Sequence, residues 1–94
     1  MSTFKTREVS AALQRKGFEL RDSHHSMFHL RVDGKDVGIH TKISHGERDI
    51  DDTLAGLMRK QMKLSTRKEF ALFVECPMTF NEYLGILRSA GHLD

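Results

Sequence analysis

The segment FHLRVDGKDVGIHTKIS, Phe28 to Ser44, constrains the fold of this chain more than any other. Phe28, Leu30 and Val32 alternate with His29 and Arg31, Asp33-Gly34 interrupts, and Val37, Ile39, Thr41 and Ile43 resume the alternation. Asp-Gly between alternating runs is a strong hairpin signal, because a type I′ turn places two successive residues at positive φ. A two-residue loop at 33–34 sets Val32 opposite Lys35, Leu30 opposite Val37 and Phe28 opposite Ile39, so apolar residues oppose one another along the pair. The same register sets Met27 opposite His40 and His25 opposite Lys42. Phe18 and Leu20, alternating with Glu19 and Arg21, add a third strand to a meander.

Helices flank these strands. Val9, Ala12 and Leu13 follow helical spacing between Thr6 and Lys16, and Gly17 is a natural stop. Leu54, Leu57, Met58 and Met62 form a second stripe from Asp51 to Lys63, with Asp49, Asp51 and Asp52 near its positive end. Thr66 with Glu69, and Thr79 with Glu82, are two capping boxes, each opening a further helix. The first of these helices stops at Pro77 and the second at Gly91. The order helix, three strands, helices predicts an α+β fold, a three-stranded antiparallel sheet with helices on one face. Phe18, Leu20, Phe28, Leu30, Val37 and Ile39 are expected to pack against Leu13, Leu54 and Leu57. At 94 residues the chain is expected to be one domain, 1–94.

Parity leaves Arg21, His25, His29, Arg31, His40 and Lys42 on the opposite sheet face, with His24 leaning toward the core. A net charge of +2 permits nucleic-acid binding without requiring it, although six histidines add positive charge as pH falls toward ~6.5. The single cysteine, Cys76, cannot form an internal disulfide, which fits a reducing cytoplasm. No apolar run approaches the ~18 residues of a membrane span, and no secretory leader is expected at the N-terminus. A zinc site is disfavoured, since His25 and His29 stand roughly 13 Å apart along a strand and Zn–N bonds are about 2.1 Å. The polar face suits acid–base work on a phosphodiester instead. A histidine moves the proton, and a lysine or arginine holds the phosphate. RNA brings its own 2′-hydroxyl nucleophile, so no metal or other cofactor is needed.

The run QRKGFEL, followed by SHHSMFHL, a short hairpin and a helix, resembles the HicA toxins of type II toxin–antitoxin systems. In that family a histidine is followed three residues later by an aromatic, and here Phe28 selects His25. The resemblance covers about residues 6–62, and VDGKDVGIHTKISHG is similar to the longer members. Residues 65–94 lie outside the compact pattern, as a helical extension. The resemblance implies a double-stranded-RNA-binding-domain-like fold and a metal-independent, cytoplasmic endoribonuclease that cleaves mRNA. It further implies His25 as the catalytic residue and neutralisation by a HicB-type antitoxin. The RNA-binding set expected around His25 is Lys42, Arg21, Arg31, His29, His40 and the loop residue His45. Two other functions stay open on the residues alone: a non-catalytic RNA-binding module, and a protein-interaction domain with no nuclease activity.

Overall fold

The computed structural model of the chain describes residues 4–22, 25–46, 48–75 and 78–93. Expectations for His24, Cys76 and Pro77 lie outside the described residues. The elements run β1 (Phe4–Lys5), α1 (Thr6–Arg15), β2 (Phe18–Asp22), β3 (His25–Val32), β4 (Lys35–Ser44), β5 (Asp49–Ile50), α2 (Asp52–Gln61), α3 (Arg67–Val74) and α4 (Phe80–Ser89). β2, β3 and β4 form an antiparallel sheet in that order, with β3 central; β1 and β5 pair separately. The fold is α+β, with four helices beside a three-stranded meander.

Helix ends follow local chemistry. α1 buries Val9, Ala12 and Leu13, and the Lys16 N–H closes it onto the carbonyls of Ala12 and Leu13. Gly17 then turns the chain at φ +92, and a Cβ there would stand 2.5 Å from Phe80 Cε1. Two constraints therefore meet at this glycine, backbone conformation and the close approach of α4. Asp51 caps α2 through the Leu54 N–H. Both capping boxes form, Thr66 with Glu69 on α3 and Thr79 with Glu82 on α4.

The hairpin turn is as expected: Asp33 and Gly34 have φ +54 and +80, and Val32 opposes Lys35. Beyond Arg31↔Asp36 the register departs from a plain ladder. A bulge between Arg31 and His29 absorbs two extra residues of β4, so His29 opposes His40, Phe28 opposes Thr41 and Met27 opposes Lys42. The cause lies in the Asp36–Gly38 turn. Gly38 sits at φ +82 and donates its N–H to Asp36 Oδ1 at 2.9 Å, a local bond that competes with the ladder. Two extra residues preserve parity, so each side chain keeps its expected face while its partner changes. The pairings Phe28 with Ile39, Met27 with His40 and His25 with Lys42 are thereby corrected, Leu30 falls in the bulge rather than opposite Val37, and His25 opposes Ser44.

One sheet face carries the core. Phe18, Phe28, Leu30, Ile39, Thr41 and Ile43 are buried there, and the Thr41 hydroxyl donates to Gln61 Oε1 of α2 at 2.6 Å. α3 and α4 join the same core through Phe18, Phe73 and Tyr83, whose ring centroids lie 5.0–6.1 Å apart. The buried Tyr83 hydroxyl donates to the Met62 carbonyl at 2.7 Å, and burial pushes its phenol well above the ordinary range. Lys16 Nζ, also buried, donates to the Phe73 carbonyl and lies over the Phe73 ring. Residues of the expected extension therefore share the core of the sheet.

Two leucines do not behave as the spacing predicts. Leu20, on the edge strand β2, remains 39% exposed. Leu57 is 49% exposed because the buried stripe of α2 is Ala55, Met58 and Met62, which turns position 57 away. Leu54 and Val37 are only half-buried, Val37 within the bulge.

Candidate functional site

The open face of the sheet is polar and ordered in rows. Cross-strand partners project to the same side, so Arg21 of β2, Met27 of β3 and Lys42 of β4 make one row. Glu19, His29 and His40 make the next. His25, the first described residue of β3, stands beyond Met27 on the other side and opposes Ser44. Met27 is thus bracketed by two cations across the sheet and by two histidines along the central strand. Neighbouring strands are about 4.8 Å apart, which puts the Cα atoms of Arg21 and Lys42 roughly 10 Å from one another.

The histidines differ in their surroundings. His25 is half-buried, and its Nδ1 is shut away with no hydrogen-bond partner among the described residues. Nε2 is therefore the nitrogen available for proton transfer. His29 is half-buried too, its side chain 20% exposed, and Asp36 Oδ2 lies 3.4 Å from its Nδ1. His40 stacks on it, ring centroids 5.6 Å apart and planes 26° from parallel. The Asp36 carboxyl is held below the usual carboxylate range, first by the Gly38 N–H and then, against some desolvation, by the charges of His29, Arg21 and Arg31. Asp36 therefore stays ionised beside the imidazole.

The cations are deployed unequally. Lys42 is exposed and makes no ion pair among the described residues. Arg21 Nε bonds Glu19 Oε1 at 3.0 Å, an exposed pair that screening makes weak. Arg31 is committed at the hairpin end, donating to the Gly34 carbonyl and lying 3.7 Å from Glu19. His45 Nε2 lies 2.6 Å from Asp22 Oδ1, which ties the end of β4 to the end of β2. Of the residues expected around His25, then, Arg21, His29, His40 and Lys42 gather about Met27. Arg31 and His45 hold the two ends of the sheet. Lys42 faces Met27, one row from His25.

Sequence reasoning missed Asp36 and the central place of Met27. The signal for both was Asp36-Val37-Gly38, an Asp two residues before a glycine inside a strand, which marks a bulge. Among the described residues no three His, Cys, Asp or Glu side chains come together as a metal-ligand set, and no helix is long and apolar enough to cross a membrane. Comparison with protein-family models, with curated proteins and with solved structures finds no match to this chain.

Proposed function

We propose that this protein is a metal-independent endoribonuclease of the HicA-type toxin class, cleaving mRNA in the cytoplasm on the open face of its sheet. The observation that carries the reading is the arrangement about Met27, with Arg21 and Lys42 across the strands and His25 and His29 along β3. A phosphodiester lying over Met27 meets a cation on either flank and an imidazole toward either end of its backbone. The cations stabilise charge that grows on the phosphoryl oxygens, while His25 Nε2 exchanges a proton with the ribose or the leaving oxygen. The order α1–β2–β3–β4–α2, with helices on one face only, supports a double-stranded-RNA-binding-domain-like fold. A HicB-type antitoxin is the partner this reading assigns.

The test is expression of the wild type and of His25→Ala in growing cells, scoring growth and mRNA integrity. Wild type should arrest growth and degrade mRNA, and His25→Ala should do neither. In vitro, products should carry a 2′,3′-cyclic phosphate and a 5′-hydroxyl, and a chelator should leave the rate unchanged. A chelator-sensitive cleavage restored by zinc or magnesium would refute the mechanism. The cation row equally suits a non-catalytic RNA-binding module reading shape and 2′-hydroxyls. RNA binding by wild type without any cleavage would favour that reading.

A further inference from the structure

Transesterification of RNA needs two proton transfers, one away from the 2′-hydroxyl and one onto the departing 5′-oxygen. His25 can serve one of them. Of the described histidines on the open face, His29 has a carboxylate beside Nδ1, with Asp36 Oδ2 3.4 Å away. An anion on that side draws the neutral ring's proton to Nδ1 and leaves the Nε2 lone pair free. The contact is long for a hydrogen bond, as such contacts often are before substrate binds. The His40 ring lies alongside the imidazole, centroids 5.6 Å apart.

Resting on the ribonuclease reading, we propose that His29, positioned by Asp36, is a second catalytic residue and the general base, with His25 as the general acid. His29 Nε2 takes the proton of the 2′-hydroxyl, and the 2′-oxygen bonds to phosphorus. The P–O5′ bond breaks, and His25, entering as the imidazolium, gives its Nε2 proton to O5′. The step leaves a 2′,3′-cyclic phosphate, a 5′-hydroxyl, a protonated His29 and a neutral His25, which exchange with solvent resets. His40 is poorly placed for the acid role, because it shares a row with His29 and lies on the same side of Met27. In-line displacement requires base and acid on opposite sides of phosphorus, and His25 is across Met27 from His29. The charged and titratable groups that face His29 are Glu19 from β2 and Asp36 and His40 from β4, with Arg21 and Arg31 close enough to act on Asp36. Glu19 is engaged by both arginines.

The test uses the full chain with two short RNA substrates, one natural and one with sulfur replacing the bridging 5′-oxygen. A thiolate leaves without a proton, so the second substrate needs the base alone. His29→Ala should lose about 10²–10⁴-fold on both substrates. His25→Ala should lose as much on the natural RNA and recover most of it on the sulfur-bridged one. Asp36→Asn should lower kcat by less than His29→Ala, leave KM unchanged, and displace the acidic limb of the pH–rate profile. His29→Gln, close in size to the native side chain, should repeat the His29→Ala result with an unchanged thermal midpoint. Wild-type rates in both His29 variants, or recovery of His29→Ala rather than His25→Ala on the sulfur-bridged RNA, would overturn the assignment alone. Cleavage of neither substrate by wild type would overturn the ribonuclease reading and this inference with it.

Discussion

Phe28 and His29 are adjacent on the central strand and face opposite sides of the sheet, one the core and the other solvent. Phe28 is 1% exposed, packed among apolar groups, and its neighbour across the sheet, Thr41, has its hydroxyl satisfied by Gln61. His29 opposes another histidine, borders Glu19, and holds one carboxylate contact at 3.4 Å. On the core side the buried polar groups of Thr41, Tyr83 and Lys16 each have a partner in the fold. The open face holds charges whose interactions with one another are exposed and weak. Stability and chemistry are thus separated by a single residue step along one strand, and substitutions on the two faces should read out differently.

The largest expected effect on stability is Phe73→Ala. This ring joins α3 to Phe18, Tyr83 and Lys16, and its removal should cost about 3–5 kcal/mol in denaturant unfolding. A cost below about 1 kcal/mol would mean that α3 is peripheral to the core.

Tyr83→Phe comes next, at about 1–3 kcal/mol, because it leaves the buried Met62 carbonyl without its donor. The effect also depends on pH. The folded phenol keeps its proton to higher pH than the unfolded one, so its contribution is complete below about pH 10 and is lost as pH rises beyond. The gap between wild type and Tyr83→Phe should therefore narrow in alkaline unfolding curves, and a constant gap would argue against burial of the hydroxyl.

Gly38→Ala probes the link between the faces. A Cβ there meets nothing within 4 Å, so the cost is backbone strain at φ +82, about 1–2 kcal/mol. If the bulge relaxes, Lys42 moves off the Met27 row, and cleavage should fall further than unfolding alone explains. Smallest is Lys42→Ala, which should change stability by less than about 0.5 kcal/mol. It should weaken RNA binding across sequences and lower the salt slope by about 1, with a smaller loss of cleavage than His25→Ala. An unchanged salt slope would remove Lys42 from the phosphate seat.

Local sequence signals determined much of this protein. Asp33-Gly34 specified its turn, two Thr–Glu boxes opened their helices, and strict alternation decided which residues share a face. Each depends on neighbours within a few positions, where backbone sterics and short hydrogen bonds dominate. Parity alone therefore placed His25, His29, His40, Arg21 and Lys42 together on the open face. Which of them stand side by side was decided only by tertiary structure. The two residues absorbed at Gly38 moved Lys42 from His25 to Met27 and brought His29 onto His40. They also left Asp36 beside His29. The choice of Ala55 over Leu57 as the buried side of α2 was likewise made by what the helix packs against. The bulge keeps parity while changing every cross-strand partner beyond it, so alternation alone does not reveal the register; the helix rotation answers to the packing of distant segments.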